Sequence, residues 1–240
     1  KLKEAEICLR KAITIKPILA DAYVNLGCVL KDIGKLKEAE ICLRKAISLK
    51  HDFAEAYSNL GNVLKELYQL KEAELFTRKA ITLKPDLADF HYNLGSILKD
   101  LGELEEAEKS ITKAIELKPD FTRAYFSVST LKYSDENKIW QDQLFSKDFL
   151  NNKSKKELVD IYFARANINH NKKRYKDSSE NLILANNLKL EFRKSQPEIL
   201  MNKSKALLIE SDKKEIIQKE ISTSPDSIFI VGMFRSGSTL

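Results

Sequence analysis

The chain is poor in the residues that punctuate or staple a fold. Its 240 residues include seven glycines, five prolines, three cysteines and one tryptophan. So little glycine and proline excludes collagen-like and low-complexity chains. With 43% hydrophobic and 32% charged residues, the composition points to an ordered, helix-rich protein. The three cysteines all fall within the first 42 residues and make neither a disulfide framework nor a metal set. Cys8 and Cys42 share one place in the repeat described below, and all three cysteines read as small buried apolar residues. His51, His91 and His170 have no cysteine, carboxylate or second histidine at ligand spacing, so no metal is expected. No apolar run approaches the about 18–20 residues that span a bilayer, and no charged-then-apolar leader opens the chain. The expectation is a protein without a membrane span, and a cytoplasmic location is favoured.

Acidic residues are scarce only in the second half. Residues 1–120 carry 20 Lys+Arg against 20 Asp+Glu, whereas residues 121–240 carry 21 against 15, which accounts for the net charge of +6. The excess lysines are scattered and read as a solvated surface. No aromatic residues interleave with a basic stripe, so a nucleic-acid partner is not expected.

What the chain has in plenty is itself. The segments "DAYVNLGCVLKDIGKLKEAEICLRKAISLK" from Asp21, "EAYSNLGNVLKELYQLKEAELFTRKAITLK" from Glu55 and "DFHYNLGSILKDLGELEEAEKSITKAIELK" from Asp89 are copies at a constant offset of 34 residues. Such a period identifies an array. Within a copy, Tyr23, Leu26, Gly27 and Leu30 form one helical stripe, and Leu36, Ala39, Leu43, Ala46 and Ile47 form another, so each copy is a helix pair. Gly27, Gly61 and Gly95, with the paired alanines, fall where two helices approach most closely. Gly34 and Gly102, with Tyr68 between them in the series, suit the left-handed residue after a helix. Pro17, Pro85 and Pro119 stop the second helices, and Asp52, Asp86 and Asp120 stand as N-caps of the copies that follow.

The aromatic, the "NLG", the paired alanines and the terminal proline resemble the tetratricopeptide repeat family over residues 1–131. Residues 1–19 then read as the second helix of a copy whose first helix is missing, with fraying expected there. The resemblance implies a mainly α, right-handed α-α superhelical solenoid whose first helices line a groove for a peptide or protein partner. Asn25, Asn59 and Asn93 repeat along that groove, as do Lys31, Lys65 and Lys99. An asparagine amide both donates and accepts, so such a ladder can hold an extended backbone without reading its side chains. The competing reading makes the asparagines part of helix packing and leaves the lysines solvated beside Asp32, Glu66 and Asp100.

After Tyr125 the register fails, with Ser129 in the glycine place. Residues 132–158 read as an interrupting segment in which Trp140, Leu144, Phe145, Phe149 and Leu150 make a short helix packed across the end of the solenoid. Residues 159–192 carry a degenerate fifth copy, with Tyr162, Ala166, Tyr175, Ser178, Leu182 and Ala185 in repeat positions and His170 in its turn. Residues 193–224 suggest a connecting helix.

The last stretch, residues 225–240, is of another kind. "IFIV" reads as a fully buried strand, and "GMFRSGST" follows with the spacing G-x-x-x-x-G-S-T. Against the Walker pattern, lysine is replaced by Ser238, and the only cation is Arg235 inside the loop. Backbone N–H groups of such a loop can wrap a phosphate, and a guanidinium offers it two parallel hydrogen bonds. Phe234 to Leu240, "FRSGSTL", resembles the 5'-phosphosulfate loop of sulfotransferases, especially the tyrosyl-protein type with its P-R-S-G-T-T-L. The order of elements is also similar to bacterial repeat-bearing sulfotransferases. The resemblance implies the first strand and phosphate loop of a truncated α/β sulfotransferase domain. Arg235, Ser236, Gly237, Ser238 and Thr239 would bind 3'-phosphoadenosine 5'-phosphosulfate (PAPS), with Arg235 also catalytic, no metal, and the base downstream of this chain. Phe234 stands where the family has proline, which removes a constraint on the loop's entry angle. Three readings follow: the N-terminal part of a PAPS-dependent sulfotransferase acting on a hydroxyl such as protein tyrosine, a non-enzymatic interaction scaffold, and another array-bearing transferase.

Overall fold

The computed structural model describes residues 1–131 and 139–192, which all fall within one compact unit. The expected connecting helix, the strand and the phosphate loop with Arg235, Ser236, Gly237, Ser238 and Thr239 lie outside the described residues.

Every described element is helical. The second helix of the first copy is α1 (Leu2–Ile15). Three full pairs follow: α2 (Ala20–Ile33) with α3 (Leu36–Leu49), α4 (Ala54–Glu66) with α5 (Leu70–Leu83), and α6 (Ala88–Leu101) with α7 (Leu104–Leu117). Helix α8 (Thr122–Ser129) opens the next copy, and a short α9 (Ile139–Phe145) and a 3-10 turn (Asp148–Leu150) come after it. The last pair is α10 (Lys155–Asn171) and α11 (Tyr175–Phe192), so the degenerate copy begins at Lys155 rather than at 159. The first helices α2, α4 and α6 also touch in succession, which places them along one face of the stack.

The repeating glycines explain how closely each pair packs. A Cβ on Gly27 would sit 2.7 Å from Leu43 Cγ, and one on Gly95 would sit 2.5 Å from Ile111 Cγ1 and 3.0 Å from the Ala107 carbonyl. On Gly61 it would collide with the Thr77 hydroxyl. Any side chain there would push the paired helices apart. The second helices contribute Ala39, Leu43 and Ala46, or Ala73, Thr77 and Ala80, all fully buried. The turn between paired helices is left-handed at Gly34 (φ 88°), Tyr68 (φ 61°) and Gly102 (φ 84°), as their shared register requires. Lys173 (φ 59°) takes the same place between α10 and α11.

Helix starts differ from the sequence expectation. The capping positions are Phe53, Leu87 and Phe121, one residue after Asp52, Asp86 and Asp120, and no side chain caps α4, α6 or α8. At two of the three, Phe53 and Phe121, the apolar residue folds into the core, whereas Leu87 is 38% exposed. Tertiary burial outweighs a cap worth about 1 kcal/mol. Among the described residues a full capping box is seen at α10, where Ser154 Oγ accepts from the Glu157 N–H and the Glu157 carboxylate accepts from the Ser154 N–H.

From the described part of the interrupting segment, Trp140, Leu144 and Phe149 join the core, within the stack rather than across its end. Trp140 is 2% exposed and meets Tyr125 edge-on at 6.3 Å, while Phe149 tilts against Tyr125 at 4.8 Å. Ile161, Ala164 and Ile168 of α10 close the same cluster, and α10 packs directly against α8. Arg165 fastens the segment by donating to the carbonyls of Leu144 and Ser146 at 2.9 and 3.0 Å. Within the degenerate copy Ala166, Ser178 and Ala185 are buried as expected, but Tyr175 is 60% exposed.

Candidate functional site

The face built by α2, α4, α6 and α8 carries the groove residues expected from the sequence, Asn25, Asn59 and Asn93. Asn25 is exposed, and Asn59 and Asn93 are half-buried. The three are not equivalent. Asn93 Nδ2 donates to Ser58 Oγ at 3.0 Å, joining α6 to α4, and one repeat later Ser127 Oγ donates to the Tyr92 hydroxyl at 3.2 Å. Asn25 and Asn59 make no side-chain hydrogen bond among the described residues. Asn93 is therefore occupied in helix packing, while Asn25 and Asn59 keep two donors and an acceptor each for a ligand.

The lysine ladder is not simply left solvated beside its neighbouring acids. Lys31 stays beside its neighbour, 3.7 Å from Asp32. Lys65 reaches into the next copy, donating to Ser96 Oγ at 2.6 Å and pairing with Asp100 at 3.3 Å. Lys99 donates to Thr130 Oγ1 at 2.8 Å. Both cations therefore tie successive first helices together. His91 sits in the aromatic position of its copy, where its Nε2 bonds the Pro85 carbonyl at 2.7 Å. Tyr125, one repeat on, does the same to Pro119 at 2.9 Å through its hydroxyl. These two side chains hold the loops between copies. Burial pushes the Tyr125 hydroxyl well above the ordinary phenol range.

A cavity of about 200 Å3 opens between the N-terminal ends of α8 and α10. Lys118, Arg123 and Lys156 line it opposite Asp120, Glu157 and Asp160. With charges of both signs in equal number, it selects neither an anion nor a cation. Burial raises the Asp160 carboxyl above its ordinary value, and nearby Arg123 opposes that shift. Cys8 is exposed, contrary to the buried reading, because the face of α1 that carries it has no covering helix; Cys28 and Cys42 are half-buried. Burial raises both of those thiols, which makes them poor nucleophiles. Among the described residues, no group of three His, Cys, Asp or Glu side chains could hold a metal. No described helix is long and apolar enough to cross a membrane.

The sequence reading missed a third ladder, on the second helices. Arg10 pairs with Glu38, Arg44 with Glu72 and Arg78 with Glu106, each at 2.6 Å and each from one second helix to the next. Every arginine also holds the glutamate four residues before it, Glu6, Glu40 or Glu74. Hydrogen bonds from Lys35 and Arg10 keep the Glu6 carboxyl below its usual range. The signal was present in the sequence: arginine recurs at 10, 44 and 78, and an acid at 38, 72 and 106.

Comparison with known proteins agrees with the 34-residue register. A family model described as "Tetratricopeptide repeat" matches residues 54–87 and 88–121, and one described as "TPR repeat" matches residues 27–67. No curated protein matches the chain. Among solved structures, PilF of Pseudomonas aeruginosa is similar with a TM-score of 0.57 at 21% identity, covering 82% of this chain and 85% of that one. YrrB, a TPR protein with an unusual peptide-binding site, gives a TM-score of 0.53 at 22% identity, covering 82% and 97%. MamA gives 0.50 at 22%, covering 80% and 91%. At such identities the likeness is one of fold. The register, the paired helices and these matches together make residues 27–121 a run of tetratricopeptide repeats in a helical solenoid.

Proposed function

We propose that this chain is a protein-interaction scaffold whose repeats hold an extended peptide or protein segment along the face of α2, α4, α6 and α8. The observation that carries this reading is the difference within the asparagine ladder: Asn25 and Asn59 present unused amides on one face, one repeat apart. A primary amide can accept a peptide N–H and donate to a peptide carbonyl, which suits binding to main chain rather than to one sequence. That YrrB, of similar fold, has a peptide-binding site supports the same use of the fold. The test is selection of binders from a display library of extended peptides, followed by titration against the Asn25→Ala, Asn59→Ala double variant. Affinity should fall about tenfold, as expected for losing two hydrogen bonds of about 0.5–1.5 kcal/mol each. Unchanged affinity in that variant removes the groove from the function.

A second reading is favoured by one sequence observation, the loop "FRSGSTL" at residues 234–240. In it, the chain is the N-terminal part of a PAPS-dependent sulfotransferase, and the repeats present the acceptor. Arg235 to Thr239 would hold the 5'-phosphate of the nucleotide, and Arg235 would offset charge on the departing phosphate as an acceptor hydroxyl attacks sulfur in line. The base that takes the hydroxyl proton is not among these residues. Calorimetry with 3'-phosphoadenosine 5'-phosphate on the full-length protein tests this reading. Arg235→Ala should abolish measurable binding, and retained affinity ends the nucleotide assignment.

A further inference from the structure

The second helices present a surface that neither the groove nor the loop accounts for. Ile7 of α1, Ile41 of α3 and Leu75 of α5 occupy one repeat position and are 55%, 69% and 66% exposed. An exposed apolar side chain is ordinary when isolated, but the same one in three successive copies is a row. One helical turn to either side of each stands a lysine: Lys3 and Lys11, Lys37 and Lys45, Lys71 and Lys79, all exposed. The result is a grid of three columns, each reading lysine, aliphatic, lysine along its helix.

The acids on these helices do not cancel the lysines. Glu6, Glu38, Glu40, Glu72 and Glu74 are held by Arg10, Arg44 and Arg78 in the ladder between the helices. Lys37 leans to Glu40 at 3.4 Å, and Lys71 to Glu74 at 3.5 Å and Glu103 at 2.7 Å. Lys3, Lys11, Lys45 and Lys79 form no ion pair among the described residues. The arginines therefore hold every acid of these helices except Glu4, and four of the six lysines stay unpaired around the apolar row. The fourth copy ends the pattern, with Glu105, Lys109 and Lys113 in the corresponding places of α7.

We propose that this face of α1, α3 and α5 docks on an anionic membrane surface, with Ile7, Ile41 and Leu75 entering the headgroup boundary and the lysines lying over acidic lipids. Charge complementarity selects the occupant. A second copy of the chain would set lysine rows against lysine rows, and a bound helix or strand would cover only one line of a grid that extends in two directions. A lipid surface meets all three columns at once and rewards both components, aliphatic burial and lysine charge. The contact lies on the interface and spans nothing, consistent with the lack of a membrane-crossing helix among the described residues.

The full chain is tested by co-sedimentation with phosphatidylcholine vesicles, with and without phosphatidylserine, at low and raised salt. Binding is expected only with phosphatidylserine and should weaken as salt rises. Two exposed-residue variants separate the components: Ile7→Ser, Ile41→Ser, Leu75→Ser, and Lys11→Glu, Lys45→Glu, Lys79→Glu. Each should lower the vesicle partition about tenfold or more with an unchanged circular dichroism spectrum. Equal binding to neutral vesicles, or wild-type binding by either variant, overturns the proposal. So does capture of an acidic peptide such as polyglutamate that anionic vesicles fail to displace.

Discussion

Two parts of this molecule are built from the same helix pair by different means. In residues 20–121 each contact is repeated: glycine against the facing helix, a left-handed turn, and an arginine held between two glutamates. In residues 122–192 the left-handed turn survives at Lys173, but the glycine does not. Ser129 stands for the glycine, buried with its hydroxyl bonded to the Phe126 carbonyl. The arginine is lost one helix earlier, at the end of the array, where Thr112 of α7 stands in its place and is buried. The register is then recovered by aromatic mass, with Tyr125, Trp140 and Phe149 filling the space beside the short α9. Helices α10 and α11 are longer than those of the array, 17 and 18 residues against 13 or 14, and α10 carries a capping box that the array helices lack. A regular array spreads its stability over neighbour contacts, whereas an interrupted one concentrates it in a few large side chains.

Trp140→Ala breaks that comparison most severely. Removing a buried tryptophan costs about 3–5 kcal/mol, and Trp140 bridges α8 to α10. Hydrogen exchange should show α10 and α11 losing most of their protection while α2 to α6 change little. A uniform loss across all helices would mean that the array and the last pair unfold as one unit, contrary to the nearest-neighbour picture.

The array was legible in the sequence because a period converts one local inference into several agreeing ones. Gly27, Gly61 and Gly95 identified each other, and the left-handed turn at Tyr68 could be placed because Gly34 and Gly102 stand one repeat away. The capping aspartates failed because that reading weighed a local hydrogen bond and omitted the burial of Phe53 and Phe121 one residue later. Asn93 and Asn59 share a sequence position, yet only Asn93 finds a serine opposite, Ser58, where the preceding copy has Val24. What faces a side chain in the next copy is not written in its own copy. That is why the fold was readable and the division of labour within the candidate site was not. The interruption had no period to read; Trp140 was placed in the core by its apolar neighbours, but its position inside the stack depends on α10.

The turn residues sharpen the comparison within the array. Tyr68 is 89% exposed and held at φ 61°, a region that disfavours side chains, where its sister copies use glycine. Tyr68→Gly should therefore stabilise the protein by about 1 kcal/mol, and Gly34→Ala should destabilise it by about the same. A Cβ on Gly34 meets nothing within 4 Å, so the cost there is purely one of backbone conformation. Denaturant midpoints at unchanged slope would measure both. A destabilising Tyr68→Gly would show that the exposed ring makes a contribution its surroundings do not reveal.

The smallest effect is one of sign, and it separates the two regions by pH. In the array, Lys35 and Arg10 lower the Glu6 carboxyl, and Lys84 lowers that of Glu55. A depressed carboxyl contributes stability that is complete above its unfolded value and is lost as pH falls through the folded one. At the junction, burial raises Asp160, so the folded state there bears a penalty at neutral pH that is relieved as pH falls through the raised value. Acidifying from neutrality toward the carboxylate range should thus relieve the α8–α10 junction first and weaken the ion-paired array only at lower pH. Asp160→Asn should abolish the early phase and leave the later one. Amide exchange followed along α8 and α10, against α1 and α4, reads the two phases separately. Exchange at the junction that speeds up on the first acidification would reverse the sign argued for Asp160, because a carboxylate penalised by burial cannot become more costly as it takes up its proton.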